Sequence, residues 1–527
     1  MSFFNWSSLF NSVPSTETTQ LQVHSSDIQK QGDTLISNFE YRRNEIVSNG
    51  NGLAITPKRH QYKFKTNLKP KKTGLLLVGL GGNNGSTVVG AVIANKQKLS
   101  WKTRTGIQKA NFYGSITQST TVHLGWDGNK QVYVPFNGIL PMVHPNDLII
   151  DGWDINNANL YQAMLRSRVF EPDLVEQLKP QMETIVPKPS IYYPDFIASN
   201  QEGRANNVIS GDSKQEHLEK IRKDIREFKE KHSLESVIVL WTANTERYTT
   251  VKEGLNMTAD EILNSVKENN SEISPSNIFA LAAILEGAHY INGSPQNTLV
   301  PGIVELAEKH CVFIGGDDFK SGQTKLKSAL VDFLVNSGLK PESIVSYNHL
   351  GNNDGKNLSE ARQFRSKEIS KSSVVDDMVA ANHILFDDGK KPDHCIVIKY
   401  VPFVGDSKRA MDEYICSIFM GGHQTLAIHN TCEDSLLAAP LILDLTIITE
   451  LCSRIQYSND AQKEFATFNP VLSLLSLLLK APVVPKGTPV GNAFMKQFSA
   501  LTKLLTACAG IASDSDLQLE FFTNLTS

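Results

Sequence analysis

The stretch Leu75-Leu-Leu-Val-Gly79-Leu-Gly81-Gly82-Asn83-Asn84-Gly85-Ser86-Thr87 passes from an apolar run into a glycine turn and then into a helix start at Val88. Glycines let the backbone approach a pyrophosphate closely, and its charge then rests on the amides and positive dipole of the helix N-terminus. The loop suggests a dinucleotide, although a glycine turn after a strand also serves as a plain tight turn, and it names no reaction. The usual fingerprint places its third glycine at position 84, where this chain has Asn84, with Gly85 following. No Asp or Glu occurs from Lys71 through Trp126, so the acidic residue expected about 20 positions on is missing. Asp151, which ends Leu148-Ile-Ile150, is the substitute candidate for the ribose hydroxyls.

Beyond this loop, strands and helices alternate. Val237 to Leu240, Cys311 to Ile314, Ile344-Val345 and Cys395 to Ile398 are compact apolar runs. Leu218, Ile221, Ile225 and Phe228 recur at helical steps, and Thr258 to Glu261 has the spacing of a capping box. Strands separated by helices point to an α/β fold with a largely parallel sheet. Residues 1–65 are rich in Ser, Thr, Asn and Gln and read as an irregular leading segment, with strand-like alternation only at Tyr62 to Thr66.

Composition narrows the class. At 527 residues the chain exceeds one simple core, so two joined domains are expected. Apolar residues at 40% and charged residues at 20% describe an ordinary globular protein. With 52 Lys+Arg against 55 Asp+Glu, the near balance argues against a nucleic-acid or membrane-surface protein, so any positive site must be built locally. The six cysteines form no C-x-x-C pair and sit in apolar stretches, which reads as free thiols in a reducing compartment. Val471 to Leu479 is too short to span a bilayer, and Pro440 to Cys452 carries Asp444 and Glu450. No metal-ligand cluster stands out, and a cytoplasmic protein without membrane insertion is the expectation.

Four further strings carry a resemblance: Leu240 to Arg247 (LWTANTER), Asn292 to Thr298 (NGSPQNT), Gly315 to Thr324 (GGDDFKSGQT) and Ser346 to Gly355 (SYNHLGNNDG). With the Gly79 loop, in this order, they resemble the signature set of the eukaryotic inositol-3-phosphate synthases, also called myo-inositol-1-phosphate synthases. The likeness continues through Phe364 to Glu368, Gly405 to Lys408, Asn430 to Ser435 and Leu479 to Pro482. It implies a Rossmann-type NAD-binding domain (residues 66–325 plus 441–527) with an inserted α/β catalytic and tetramerisation domain (326–440). It also implies an NAD-dependent isomerisation of D-glucose 6-phosphate to 1D-myo-inositol 3-phosphate. C5 is oxidised, C6 enolises and closes onto the C1 aldehyde, and C5 is reduced again. That reaction would be the first committed step of inositol biosynthesis, supplying phosphatidylinositol, in a homotetramer.

The resemblance also nominates residues. Each step puts negative charge on oxygen, which fixed cations in a closed pocket stabilise. Lys367, Lys371, Lys408 and Lys480 are the candidates. Lys367 is expected to transfer the proton at the C5 oxygen, and Lys480 to stabilise charge on the same face. Lys408 would act at the C1 oxygen or the phosphate, Lys371 at the phosphate, and Asp434 would orient a lysine. Lys480 ends an apolar run, where a snorkelling lysine looks the same. Ser321, Gly322, Gln323 and Thr324 suit a phosphate. Gly82, Asn83, Asn84, Gly85, Thr242, Ala243, Asn244, Thr245, Gly293, Ser294, Asp318, Gly405, Asp406 and Ser435 match cofactor-lining positions. Asn352, Asn353 and Asp354 read either as a turn with side chains bonding the backbone or as cofactor-binding residues that contact cofactor and substrate, or a cation, at the domain junction. His349 and His423 are left as structural. A conventional sugar-phosphate dehydrogenase fits the glycine loop equally well, and an NAD-binding scaffold needs the loop but not four lysines.

Overall fold

The computed structural model describes residues 21–50, 52–128 and 130–512. Thr34–Ser48 (β1) and Leu53–Asn67 (β2) form a long antiparallel hairpin, with Leu35 opposite Thr66 and Ser37 opposite Phe64. This corrects the irregular reading of residues 1–65, of which residues 1–20 lie outside the described residues. Toward the hairpin tip both faces meet solvent, and apolar residues such as Ile46, Val47, Leu53 and Ile55 stand exposed there, so no alternation of buried and exposed positions marks the strands. Only the base buries Leu35, Ser37, Phe64 and Thr66. There Ile455–Asn459 pairs with Tyr62–Thr66, and Ser37 Oγ donates to the Ala507 carbonyl at 2.6 Å, joining both ends of the chain.

Six parallel strands follow: β3 (Thr73–Val78), β4 (Ile149–Asp154), β5 (Lys188–Pro189), β6 (Ser236–Trp241), β7 (His289–Asn292) and β8 (Ile314–Gly315). Their spatial order is β5-β4-β3-β6-β7-β8, the doubly wound order in which the crevice beside the first strand takes a dinucleotide. β3 is buried along its whole length. Leu75 and Leu77 enter one core with Ile442 and Leu445, whereas Leu76 and Val78 enter the opposite core with Ile221 and Phe279. Burial on both faces explains why the strand reads as an unbroken apolar run. Helix α1 (Asn83–Lys96) follows β3 directly. Helix α2 (Leu160–Ser167) follows β4.

Helix α3 (Gly322–Asn336) leads from this sheet to a second one. Its strands are β9 (Lys340–Leu350), β10 (Asp393–Tyr400), β11 (Ser407–Ser417) and β12 (His423–Glu433), in the order β10-β9-β11-β12. Helix α4 (Ala361–Ser372) lies between β9 and β10 in the chain. Val331 and Val335 of α3 pack with Ile344, Met378 and Tyr414 on one face. On the other, Tyr347 and Met411 are exposed. Helix α5 (Asp434–Cys452) then returns to the first core. It is long and apolar enough to cross a membrane, but 89% of its apolar window is buried inside the protein. Its Asp444 accepts from Ser115 and Thr117, and its Glu450 pairs with Arg454. The expected boundaries at 325/326 and 440/441 fall inside α3 and α5.

Candidate active site

A cleft of about 1080 Å3, measured to its open mouth, runs along the C-terminal edge of the six-stranded sheet and continues to the second sheet. Gly79, Thr242 and Gly293 follow β3, β6 and β7 and line it. Gly79 adopts φ 97°, and a Cβ there would come within 2.8 Å of the Ala243 backbone. A Cβ on Gly85 would meet the carbonyl oxygens of Leu80 and Gly79 at 2.4 and 2.5 Å. Gly85 thus performs the close helix packing of the fingerprint's third glycine, one position late. Helix α1 has no side-chain cap and no acidic residue in its first turn, so its amides favour an anion. Asn84 Nδ2 donates to Thr242 Oγ1 at 3.0 Å and Ser294 Oγ to the Ala243 carbonyl at 3.0 Å, tying the loops together.

Asp151 does not line this cleft. It sits within β4, where its carboxylate pairs with Lys188 and accepts from the Gly152 amide. The strand continues to Asp154, which lines the cleft at the position of the ribose-binding acid. Two small hairpins, Ser100–Thr103 with Gly106–Lys109 and Thr121–Trp126 with Gln131–Pro135, lie between α1 and β4. They move the acid far beyond its usual spacing. A glycine turn, an uncapped helix and a carboxylate at the end of the second strand fit a dinucleotide.

At the other end, Asp318 is buried and accepts from Lys367 Nζ at 2.9 Å, Lys480 Nζ at 3.1 Å and Ser370 Oγ at 2.5 Å. Burial works against its charge, yet the two ammonium groups hold its carboxyl well below the usual range. Lys480 lies on a segment paired antiparallel with the Asp318 segment, its amide donating to the Asp318 carbonyl at 2.7 Å. Burial pulls the Lys480 amine down to about 7, with Asp318 opposing and Lys367 and Lys408 adding to the drop. Lys367 is half-buried, and desolvation works against its charge, but Asp318 and Asp354 outweigh that and raise its ammonium above its ordinary value. Lys408 Nζ donates to Asp434 Oδ1 at 3.2 Å. Lys371 lies deeper, donating to the neutral oxygens of Gln323 and Asn348 at 3.3 and 3.2 Å. Burial, with Lys408, Lys480, Lys367 and Lys327 nearby, lowers it far below the usual lysine range.

These features find their counterpart in known proteins. A family model described as myo-inositol-1-phosphate synthase matches residues 73–506. The chain belongs to the myo-inositol-1-phosphate synthase family. The inositol-3-phosphate synthase of Dictyostelium discoideum is 55% identical over 500 residues, covering 95% of this chain and 98% of that one. Inositol-3-phosphate synthase 1 of Homo sapiens is 55% identical over 502 residues, covering 95% and 90%. The crystal structure of the Caenorhabditis elegans inositol-3-phosphate synthase superposes with a TM-score of 0.95 at 68% identity, covering 96% of this chain and 99% of that one. As a member of this NAD-binding family, the chain uses NAD as its cofactor.

Within this family fold, the cleft is lined by Gly82, Asn83, Asn84, Thr242, Ala243, Asn244, Thr245, Gly293, Ser294, Asp318, Ser321, Asn352, Asn353, Asp354, Lys367, Lys408, Asp434 and Lys480. In the 352–354 cluster Asn352 caps a short helix, as the turn reading expects, and Asp354 accepts from the Thr245 amide at 3.2 Å. Asp406 and Ser435 stand one layer behind: Asp406 accepts from the Ser435 amide and hydroxyl at 2.8 Å and from Asn83 Nδ2 at 3.2 Å. Gly405 precedes Asp406 in a turn outside the lining. Gly322, Gln323 and Thr324 form the first turn of α3 behind Ser321, and Gln323 also donates to Asp412. His349 and His423 lie in β9 and β12, away from the lining. Sequence reading missed Asp154, Ser190, Ile191, Ile197 and Arg204, which line the same cleft. Asp154 has a signal, as the last acid of the strand; Arg204 ends a short 3-10 turn, and the others lie outside regular elements, none with a motif of its own.

Proposed function

We propose that this cleft converts D-glucose 6-phosphate into 1D-myo-inositol 3-phosphate; the names of its relatives and of their family give an inositol phosphate as the product. The observation that carries the residue roles is the lysine cluster around Asp318, set against the dinucleotide end of one continuous cleft. NAD supplies a hydride acceptor and donor for C5, held by the Gly79–Gly82 turn, the α1 amides and Asp154.

Lys480, with its amine near neutrality, removes the C5 hydroxyl proton and returns it at the end. Lys367 keeps its proton and stabilises the C5 oxygen and the C6 enolate by charge. The proton lost from C6 passes to the substrate's own phosphate and ends on the C1 oxygen once the ring has closed. This distribution reverses the sequence expectation, because Asp318 and Asp354 act together on Lys367 whereas burial prevails at Lys480. Lys408, oriented by Asp434, stabilises the C1 oxygen as the ring closes. Lys371 and the amides of α3 from Gly322 to Thr324 hold the phosphate. A dianion there restores full charge to a lysine otherwise facing only neutral oxygens and other ammonium groups.

Incubation with glucose 6-phosphate and catalytic NAD, followed by product identification, tests this reading. Steady accumulation of NADH with no inositol phosphate would identify a dehydrogenase instead. We assign residues 66–320 and 434–512 to the NAD-binding part and 321–433 to the catalytic part, from the N-termini of α3 and α5. The uncovered face of the second sheet, with Tyr347 and Met411 exposed, supports assembly into a homotetramer. The near-balanced charge supports a cytoplasmic enzyme that neither binds nucleic acid nor inserts into membranes.

A further inference from the structure

Behind Lys371, a second buried lysine repeats the arrangement one layer deeper. Lys371 donates to Gln323, in the first turn of α3, and to Asn348 of β9. Four residues further along α3, Lys327 is 3% exposed and donates to Ser346 Oγ at 2.7 Å. Ser346 stands two positions before Asn348, on the same face of β9. Lys327 Nζ also donates to His394 Nε2 of β10 at 2.9 Å, and His394 Nδ1 donates to the Ser372 carbonyl at 3.1 Å. An ammonium only donates and a carbonyl only accepts, so this imidazole is neutral with its proton on Nδ1. Ser372 ends α4 directly after Lys371. One buried ammonium thus ties α3, β9, β10 and the end of α4 together.

This is a costly way to fill the space. Among the described residues no carboxylate pairs with Lys327 or Lys371; the bonds they make go to neutral acceptors. Asp412, the charge that opposes the loss of the Lys327 proton, is bonded instead by Gln323 and by Tyr414 Oη at 3.1 Å. Burial pulls the Lys327 amine down to about 8. An apolar side chain of similar length would pack there without the desolvation cost. Two ammonium groups without a counter-ion leave a deficit of negative charge that a bound anion offsets.

We infer that Lys327 and His394 are positioning residues for the substrate phosphate. His394 pins the end of α4 to Lys327, which fixes Lys371 over the first turn of α3. The Lys327 charge adds to the field that favours a dianion there. Neither side chain lines the cleft, so both act through Lys371 and not by contact.

This inference rests on the phosphate role proposed for Lys371, and the experiment separates the two. KM for glucose 6-phosphate, kcat, and competitive inhibition by inorganic phosphate are measured at saturating NAD on the full chain and its variants, with NAD affinity followed by calorimetry. Lys327→Met should raise KM and the phosphate inhibition constant together by roughly tenfold or more, the effect of removing one charge near a dianion. kcat should change by a smaller factor, and NAD affinity should stay as in the wild type. Lys327→Arg, which keeps the charge, should recover most of the loss. His394→Leu should weaken both constants in the same direction. His394→Gln, whose amide can accept from Lys327 and donate to Ser372, should restore them, and this pair decides the matter if Lys327→Met does not fold. The inference is overturned if Lys327→Met and His394→Leu leave both constants unchanged while Lys371→Met raises them. It is equally overturned if the loss falls on kcat or on NAD affinity with phosphate inhibition unaltered. Should Lys371→Met itself change neither constant, the phosphate reading fails and takes the inference with it, a pattern distinct from the first.

Discussion

The two ends of the cleft are built from different materials. The dinucleotide end is mostly backbone: a turn at Gly79, the free amides of α1, and loops tied by Asn84 and Ser294. The reacting end is mostly side-chain charge, with lysines and carboxylates coupled through Asp318 and Asp434. Backbone geometry is dictated locally and tolerates little bulk. A charge cluster tolerates bulk better, but each member alters the ionisation of the rest. Substitutions at the first end should therefore act on binding, and those at the second on turnover and its pH dependence.

The largest effect sharpens that contrast. Lys480→Ala should lower kcat by about 10²–10⁴-fold, the usual worth of a positioned acid–base group, with NAD affinity nearly unchanged by calorimetry. If NAD binding fell in step with kcat, the division of labour would be wrong. At the backbone end, Gly79→Ala should show the reverse pattern. Its Cβ would meet the Ala243 backbone at 2.8 Å in a left-handed conformation, at a cost of about 1–3 kcal/mol in strain. Tenfold or greater weakening of NAD binding is expected, with kcat recovering at saturating NAD; an unaltered dissociation constant would break the comparison.

A smaller effect concerns pH. With Lys480 near 7, the neutral amine that accepts a proton is depleted below this value, so kcat should rise with pH through about 7. Asp318 raises the Lys480 value, so Asp318→Asn should move this limb to lower pH while reducing the maximum. A limb that stays in place would remove Lys480 from the base role. The least effect belongs to a contact outside both ends. Ser37→Ala loses a buried hydrogen bond to Ala507 and should cost about 1–3 kcal/mol in chemical denaturation while leaving kcat and NAD binding unchanged.

What sequence reading reached follows the same division. The apolar β3, the glycine turn and the helix behind it are contiguous, so their geometry is written in neighbouring residues. The β1–β2 hairpin escaped because a ribbon exposed on both faces has no buried face to impose a polar–apolar alternation. Asp151 was preferred to Asp154 because the apolar run stops at Ile150, whereas the strand continues for four more residues. The lysines were nominated by likeness, since no spacing distinguishes Lys480 from a snorkelling lysine.

Alternation of strands and helices, and the glycine loop after an apolar strand, were determined by the chain alone, because they depend on periodicity and local steric freedom. Only the folded structure decided which carboxylate lines the cleft and in which direction each lysine's ionisation is displaced. Those properties depend on distances among Asp318, Lys367 and Lys480, residues up to 162 positions apart in the sequence. Their ionisation is set by burial and by each other, and neither exists until the two sheets meet.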